Sequence, residues 1–228
     1  MLGVISIYGP HSSGKTGLIE RILERFGKWR ILVLKKTHQE SLDTPGKDTH
    51  RLFERAWAVA AASKREWVLI RRNEGDLMRF IEDLRREMRP DLIIVEGFLE
   101  GVPSVAMPGD ERGNPTLVYD GDDEAVFRLV EREILKKRVY DILPHLDCGE
   151  CGEDNCEAFA RAVIERGRKV SECKYHNPGA TLSLTVNGQP VYLGPFVHEL
   201  MENVLMGILR SLKAPKDIRE FELRYRRK

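Results

Sequence analysis

The residues with the clearest chemical potential form one short segment, GPHSSGKT, at positions 9–16. Its spacing fits the pattern G-x-x-x-x-G-K-[ST], in which glycines let the backbone turn so that successive N–H groups point at a phosphate. The candidate phosphate-binding residues are Gly9, Pro10, His11, Ser12, Ser13, Gly14, Lys15 and Thr16. In this pattern the lysine ammonium contacts the β- and γ-phosphates, and the hydroxyl that follows it ligates Mg²⁺. The segment therefore predicts a nucleoside triphosphate site.

A second candidate group is the carboxylate of Glu96, which directly follows the apolar run at positions 92–95. In phosphate-loop proteins an acid at the carboxyl end of such a strand holds the Mg²⁺ shell or orients the attacking water. We expect Lys15 and Glu96 to be the catalytic residues, and Thr16 and Glu96 to hold the Mg²⁺. The alternative interpretation is a surface glutamate without a catalytic role.

A polar stretch at positions 37–53 follows the apolar run 31–34, which reads as a second buried strand. Ligands bind at the carboxyl ends of parallel strands in open α/β sheets. Asp48 and Arg51 lie in this stretch, and we expect them to take part in nucleotide binding. A solvated loop is the competing interpretation.

All four cysteines lie near the start of the last third of the chain, with the spacing Cys148-x2-Cys151-x4-Cys156-x16-Cys173. In a cytosolic chain such a group more often binds metal than forms disulfides. Four thiolates suit a 4Fe–4S cluster or a structural zinc ion. Zinc sites usually contain two C-x2-C pairs, and only Cys148 and Cys151 have that spacing. The pattern therefore favours an iron–sulfur cluster, with zinc and unligated thiols as the alternatives.

The segments around these residues alternate between strand and helix patterns. The apolar run 2–8 predicts a strand before the glycine loop, and apolar residues at helical spacing over 17–26 predict a helix after it. Similar patterns predict further strands at 30–36, 66–71 and 92–95 and further helices at 76–88 and 122–140. This alternation predicts an α/β fold of the P-loop NTPase type, a three-layer, mostly parallel sheet with helices on both faces.

The region that begins with the cysteines has a different pattern. A helix is predicted over 157–167, and alternating residues over 181–194 around Asn187-Gly188 predict a hairpin with a two-residue turn. An apolar stripe from Pro195 onward predicts a helix that forms core or a subunit contact. We therefore expect a nucleotide-binding domain at 1–140 and a small α+β metal-binding module at 141–228.

Composition argues against several classes of protein. The formal net charge is +1, which gives no overall field for binding nucleic acid or a membrane surface. No run approaches the roughly 18 apolar residues of a membrane span. The first apolar run already forms the strand before the glycine loop, so it does not read as a signal peptide. We expect a soluble, cytoplasmic protein without a nucleic acid or membrane partner.

Three segments together resemble the molybdopterin-guanine dinucleotide biosynthesis protein B (MobB) family. They are GPHSSGKT, KKTHQESLDTPGKDTHRLFERAWAVAAAS at 35–63, and DLIIVEGF at 91–98. The second is the most specific, because its D…GKDT.R pattern includes Asp48 and Arg51. Leu99 departs from the family, which often has a basic residue after E-G-F. The resemblance covers about residues 1–135.

This resemblance implies a GTP-binding, weakly hydrolysing homodimer that uses Mg²⁺. Such a dimer assists the molybdenum cofactor guanylyltransferase, which joins GMP to molybdopterin, so the implied partners are that enzyme and a molybdopterin-type ligand. The sequence does not distinguish a molybdenum from a tungsten cofactor, and no N-K-x-D signature selects GTP over ATP. The cysteine segment resembles a separate small iron–sulfur module, seen for instance in corrinoid–protein subunits of carbon-fixation enzymes.

Two other functions stay open on the same residues. One is a kinase-type phosphotransferase that uses the stretch 37–51 to bind an acceptor. The other is an iron–sulfur redox-regulated NTPase, in which the cysteine module controls the nucleotide domain. They differ from the accessory-protein hypothesis in where the γ-phosphate goes and in whether the two modules are coupled.

Overall fold

The computed structural model describes residues 2–37, 39, 41–44, 46–72, 75–110, 112–176, 181–186, 189–213 and 217–223. The chain divides into two compact units, of which the first ends at Ile134 and the second begins at Leu135. Up to the helix in which this boundary lies, the elements are β1 (Val4–Tyr8), α1 (Lys15–Arg25), β2 (Ile31–Lys35), α2 (Asp48–Phe53), β3 (Ala58–Ala62), β4 (Trp67–Arg71), α3 (Leu77–Met88), β5 (Leu92–Glu96), β6 (Ser104–Ala106), β7 (Leu117–Val118) and α4 (Asp123–Asp141).

The first unit is built on a five-stranded sheet in the order β2-β5-β1-β6-β7. All neighbouring strands are parallel, and Ser6 in the central strand lies opposite Val95 on one side and Ser104 on the other. The chain runs from β1 to β2 on one side and later crosses β1 to reach β6 on the other. Such a reversal of strand order opens a crevice at the carboxyl ends of the strands, where α/β proteins bind ligands.

Helices cover both faces of this sheet, which confirms the predicted three-layer α/β fold. On one face, Ile5 packs in a cluster with Leu18 of α1 and Val126 of α4. On the other face, Val4 packs in a cluster with Ile81 of α3. All five side chains are fully buried. Strand β1 is therefore covered on both faces and paired on both edges, which explains its continuously apolar character.

Strands β3 and β4 form a separate antiparallel sheet and do not join the central one. Several of their large apolar side chains are exposed, with Trp67 at 79% and the neighbouring Trp57 at 76%. The pattern of residues 66–71 predicts the strand, but it contains no signal for which sheet the strand joins.

The second unit contains α5 (Cys156–Arg166), a 3-10 turn (Val170–Glu172), β8 (Leu184–Val186), β9 (Gln189–Val191) and α6 (Pro195–Ser211). Strands β8 and β9 pair in the antiparallel sense, as predicted. The predicted turn at Asn187 and Gly188 lies outside the described residues. Helix α5 begins at Asn155, whose side chain accepts the Ala158 N–H at 2.8 Å.

Within helix α6, His198 is the buried side chain. Its Nε2 accepts the backbone N–H groups of Thr181 and Leu182 at 3.0 Å each. The apolar stripe of α6 is largely exposed at Phe196 and Leu200. These two positions do not contribute to the core, and the contact with another subunit stays a prediction. Over the described residues, no helix has the length and apolar character needed to span a membrane.

Candidate functional site

The glycine-rich segment forms the loop between β1 and α1 at the carboxyl edge of the central sheet. Gly9 has a φ of 155°, and a Cβ at this position would lie 2.5 Å from Met107 Cβ. Gly14 has a φ of 88°, and its carbonyl accepts the Leu18 N–H at 3.0 Å as the first turn of α1 forms. Glycine is therefore required at the first position by close packing and is favoured at the second by backbone conformation.

The ammonium of Lys15 lies inside this loop. Its Nζ donates to the carbonyl oxygens of Gly9 at 3.1 Å and Pro10 at 2.5 Å, and it lies 3.4 Å from Ser13 Oγ. The side chain thus folds back over the backbone that precedes it. This places a positive charge within the curve of the loop, beside the amino end of α1, where phosphate groups bind.

Glu96 lies at the carboxyl end of β5, next to β1, and its side chain is only 13% exposed. Its Oε1 is 3.5 Å from Thr16 Oγ1, and its Oε2 is 3.5 Å from Lys35 Nζ. The backbone is fixed there because the Gly97 N–H donates to the Ile7 carbonyl at 2.9 Å. Both oxygens are of a type that ligates Mg²⁺, but adjacent ligands of an octahedral ion with bonds of about 2.0–2.1 Å lie about 2.9 Å apart, so the two side chains would have to move closer to share one ion.

The structure adds two residues to this edge that sequence reasoning missed, Asp110 and Arg112 in the loop after β6. The Arg112 guanidinium forms a fork with the Asp110 carboxylate at 2.6 and 2.8 Å. This hydrogen-bonded pair lowers the pKa of Asp110, and the charge of Lys15 lowers it further. The Tyr8 hydroxyl donates to the Arg112 carbonyl, which ties the loop to the end of β1. An Asp-x-Arg pattern is visible in the sequence, but its position beside the glycine loop depends on β6 pairing with β1.

Asp48 and Arg51 lie on α2, at the surface. Their side chains are 95% and 70% exposed, and they lie 3.9 Å apart as an i,i+3 pair. Within the described part of the chain, no hydrogen bond or ion pair joins either of them to residues 9–16. Nearby, Asp43 Oδ1 accepts the Thr44 N–H at 2.8 Å. The pKa of Asp43 is lowered, chiefly by a hydrogen bond from Thr49, so that carboxylate stays charged.

The four cysteines are free thiols and line one pocket of the second unit. Cys156 and Cys173 are buried, Cys151 is half-buried and Cys148 is exposed. The wall of the pocket includes the buried ring of Phe159. All four thiols therefore open into a common space with an apolar wall.

Local structure fixes the third cysteine most firmly. Cys156 is the first residue of α5, and its N–H donates to Asp147 Oδ1 at 2.7 Å. Burial raises the pKa of its thiol. The loop that carries the first two cysteines turns through Gly149 and Gly152, whose φ values are 72° and 83°. A thiolate at this buried position needs a metal or another positive group to compensate its charge.

The donor set fits an iron–sulfur cluster, since four thiols face one pocket and Cys148, Cys151, Cys156 and Cys173 are all the cysteines of the chain. Within the ranges that the structure describes, no three Cys, His, Asp or Glu side chains are grouped closely enough to hold a single metal ion.

Two family models match the chain. The model described as "Molybdopterin guanine dinucleotide synthesis protein B" (MobB) matches residues 4–130, and the model described as "Putative Fe-S cluster" matches residues 143–175. Together they cover the glycine loop, Glu96 and all four cysteines.

Curated relatives match either the whole chain or only part of it. A "Putative molybdopterin-guanine dinucleotide biosynthesis adapter protein" from Methanocaldococcus jannaschii is 27% identical over 234 residues, which is 95% of each chain. The "Acetyl-CoA decarbonylase/synthase complex subunit gamma 1" from Methanosarcina thermophila is 53% identical over 34 residues, which is 15% of this chain and 7% of that protein. Among solved structures, Bacillus subtilis MobB aligns with 57% of this chain and 97% of its own, at 22% identity and a TM-score of 0.43.

Proposed function

The chain belongs to the molybdopterin guanine dinucleotide synthesis protein B (MobB) family, and from this premise we propose that it is a GTP-binding accessory protein of molybdenum or tungsten cofactor assembly. The family and the full-length adapter relative support involvement in the biosynthesis of molybdopterin guanine dinucleotide. GTP as the nucleotide and slow hydrolysis of GTP are the finer parts of the proposal. The observation that carries it is the glycine loop with the Lys15 ammonium inside it and Glu96 beside Thr16.

In this proposal the loop binds the triphosphate through its backbone. The N–H groups of residues 9–14, together with the amino end of α1, hold the phosphate oxygens. Lys15 moves from the carbonyls of Gly9 and Pro10 to the β- and γ-phosphates, where its charge compensates theirs. Lys15 thereby gives up its hydrogen bonds within the loop and gains hydrogen bonds to the phosphates.

Thr16 and Glu96 are the residues that would hold Mg²⁺, which supplies charge neutralisation between the β- and γ-phosphates when bound. Glu96 has a second role in this proposal, since its carboxylate orients a water molecule towards the γ-phosphate. Lys35 Nζ lies 3.5 Å from the same carboxylate and helps to align it.

Asp48 and Arg51 are proposed to contact the nucleotide or the molybdopterin-type ligand. They are exposed and lie on a short helix that follows the carboxyl end of β2, the edge where ligands of α/β sheets bind. Their exposure leaves both side chains free to meet a ligand at little structural cost.

The second unit is proposed to hold a 4Fe–4S cluster on Cys148, Cys151, Cys156 and Cys173. The match to an Fe-S family model and the shared pocket support this assignment, and a structural zinc ion is the alternative. The chemistry that the cluster supplies is one-electron transfer or structural cross-linking of the loop. The residues themselves provide four thiolates and an apolar wall.

The proposed assembly is a cytoplasmic homodimer. Its proposed partners are the molybdenum cofactor guanylyltransferase and a molybdopterin-type ligand, in line with the name of the adapter relative. The near-neutral net charge of +1 argues against nucleic acid as a partner.

Nucleotide binding and turnover test the function directly. The full chain, purified without oxygen, is titrated with GTP and with ATP in the presence and absence of Mg²⁺, and phosphate release is followed with and without a molybdopterin-type ligand. We expect Mg²⁺-dependent binding of GTP in preference to ATP, and slow release of phosphate to water. Transfer of the γ-phosphate to the added ligand would instead identify a phosphotransferase. Failure to bind either nucleotide would refute the proposed site.

A further inference from the structure

Arg168 occupies the turn between α5 and the 3-10 turn that precedes Cys173. Its Nε and Nη2 donate to Glu172 Oε2 at 2.9 and 2.8 Å. Its Nη1 donates to Glu153 Oε1 at 2.9 Å, and its Nη2 also donates to the carbonyl of Cys151 at 2.8 Å. Every nitrogen of the guanidinium therefore has a partner, and the partners come from two separate segments of the chain.

The positions of these partners matter for the cysteines. Cys151 is one of the four thiols that line the pocket, and Glu153 is two residues further along the same loop. Glu172 immediately precedes Cys173. The guanidinium consequently fastens the loop of the second cysteine to the segment of the fourth.

An aromatic contact places Arg168 against the wall of the pocket. The guanidinium carbon lies 5.0 Å from the centroid of the Phe159 ring, which is buried and lines the pocket beside the thiols. The side chain of Arg168 is only 26% exposed. A planar guanidinium can stack on a ring and donate hydrogen bonds in its own plane, whereas a lysine ammonium cannot do both.

The charges around Arg168 are balanced. Arg166 Nη2 lies 2.6 Å from Glu153 Oε1, so two arginines face the two carboxylates of Glu153 and Glu172. These ion pairs hold the Arg168 guanidinium between the Glu153 and Glu172 carboxylates.

A second ion pair joins the same two segments. Lys174 pairs with Glu150 at the surface, where Lys174 is 64% exposed. Exposed pairs of this kind contribute little, about 0–1 kcal/mol. The hydrogen bonds from the partly buried Arg168 guanidinium are the stronger connection between the two segments.

We propose that Arg168 is a positioning residue for the iron–sulfur cluster, holding the Cys151 loop and the Cys173 segment at the separation that lets four thiolates bind one cluster. This inference rests on the proposed cluster. Groups outside the direct ligands orient those ligands, and their loss typically lowers metal affinity by about 10- to 100-fold. In this proposal the positive charge of Arg168, stacked on the Phe159 ring that lines the pocket, also favours the more negative, reduced cluster.

The test compares four full-length proteins, reconstituted without oxygen with ferrous iron and sulfide. They are the unchanged chain, Arg168→Met, Arg168→Lys and Arg161→Met. Arg161 is the matched control, since its guanidinium pairs within α5, one turn away, with Glu157 Oε1 at 2.5 Å. The measurements are iron and sulfide per chain, the rate at which an iron chelator bleaches the visible absorption, and the midpoint potential of the cluster.

We expect Arg168→Met to lose its cluster to the chelator about 10- to 100-fold faster than the unchanged chain, with a lower midpoint potential in the fraction that remains. Arg168→Lys should also lose the cluster faster, because an ammonium cannot donate all the hydrogen bonds of the guanidinium. The midpoint potential of its cluster should stay nearer that of the unchanged chain, because the positive charge is kept. This variant decides the question if Arg168→Met does not fold. Bleaching rates and potentials equal to those of Arg161→Met would overturn the role of Arg168. An unchanged chain that takes up no iron would overturn the cluster itself.

Discussion

Thr16 Oγ1 and Glu96 Oε1 lie 3.5 Å apart although 80 positions separate them in the chain. They meet because β1 and β5 are parallel neighbours, so that the loop after the first strand and the last residue of the second share one edge of the sheet. The Thr16 hydroxyl, which can ligate Mg²⁺, therefore lies beside the Glu96 carboxylate, which can ligate Mg²⁺ or accept a hydrogen bond from water.

The first prediction concerns Glu96. Glu96→Gln keeps the size of the side chain but removes the charge that orients water, so hydrolysis should fall on the order of 100-fold while triphosphate affinity changes little. Phosphate release and nucleotide binding are measured on the same preparation. Glu100→Gln, a change at an exposed carboxylate four positions later, is the control. Equal turnover in Glu96→Gln and the unchanged chain would leave Glu96 with a structural role only.

The second prediction concerns Lys15. Lys15→Ala removes the ammonium that lies against the Gly9 and Pro10 carbonyls, and with it the charge proposed to bind the β- and γ-phosphates. A charge-assisted hydrogen bond contributes about 1.5–3 kcal/mol, so affinity for GTP should fall at least roughly 10-fold. Titration calorimetry measures the change, and Lys64→Ala, at an exposed position between β3 and β4, should bind normally. Unchanged affinity in Lys15→Ala would refute the phosphate-loop interpretation.

The third prediction separates a functional from a structural role for α2. Asp48→Ala and Arg51→Ala should impair handling of the nucleotide or the molybdopterin-type ligand. Because both side chains are largely exposed, each change should alter the free energy of unfolding by no more than about 0.5 kcal/mol. Ligand binding and thermal unfolding are compared for each variant. A melting temperature lower by several degrees with intact activity would show that the two residues stabilise the fold instead.

Short stretches of sequence were enough to predict the elements whose conformation depends on neighbouring residues. The apolar run of β1, the glycine loop and the helical spacing of α1 each follow from a few consecutive residues, and the structure has them where they were predicted. The alternation of strands and helices also implied a parallel sheet, because parallel strands need crossover connections. The grouping of the four cysteines was visible in their spacing alone.

What the sequence did not predict depends on contacts between distant segments. Asp110 and Arg112 lie beside the glycine loop only because β6 pairs with β1 across a crossover, and no local pattern specifies strand order. Strands β3 and β4 have ordinary strand patterns, yet they pair with each other outside the central sheet. Arg168 reads as one basic residue after a helix, and its significance appears only when Cys151, Glu153 and Glu172 converge on it.

The fourth prediction concerns the dependence of stability on pH. Arg21 donates from Nε and Nη2 to the two carboxylate oxygens of Asp123 at 2.7 and 3.0 Å, and Tyr119 donates to the same carboxylate at 2.8 Å. The bond from Arg21, and then that from Tyr119, lowers the pKa of Asp123. A lowered carboxyl pKa stabilises the fold above the ordinary value of about 3.9, and this contribution is lost as pH falls through the lowered pKa.

Asp123→Asn should therefore reduce the free energy of unfolding at pH 7 by about 1 kcal/mol, a modest effect because Arg21 is 42% exposed. The difference from the unchanged chain should shrink as pH falls below about 4. Urea unfolding at pH 7, 5 and 3 measures it, and Glu124→Gln, a neighbouring exposed carboxylate, provides the comparison. A difference that stays constant from pH 7 to pH 3 would contradict the charge-based explanation.

The fifth prediction concerns the metal. Protein purified without oxygen should be brown and carry roughly four iron and four sulfide per chain, as a cluster on four thiolates requires. Cys156→Ser should remove the cluster, because this buried thiol is held at the start of α5 by Asp147 and a hydroxyl is a much weaker ligand for iron than a thiolate. Ser171→Ala, an exposed change two residues before Cys173, should leave it in place.

The same variant tests whether the two sites depend on each other. The Lys15 loop and the cysteines belong to different compact units, so Cys156→Ser should bind triphosphate with nearly unchanged affinity. Iron analysis and nucleotide titration on one preparation measure both properties. Colourless protein with one zinc per chain would replace the cluster with a zinc site. Loss of nucleotide binding together with the cluster would show coupling between the units, and a redox-regulated NTPase would then explain the chain better than an accessory protein with two independent sites.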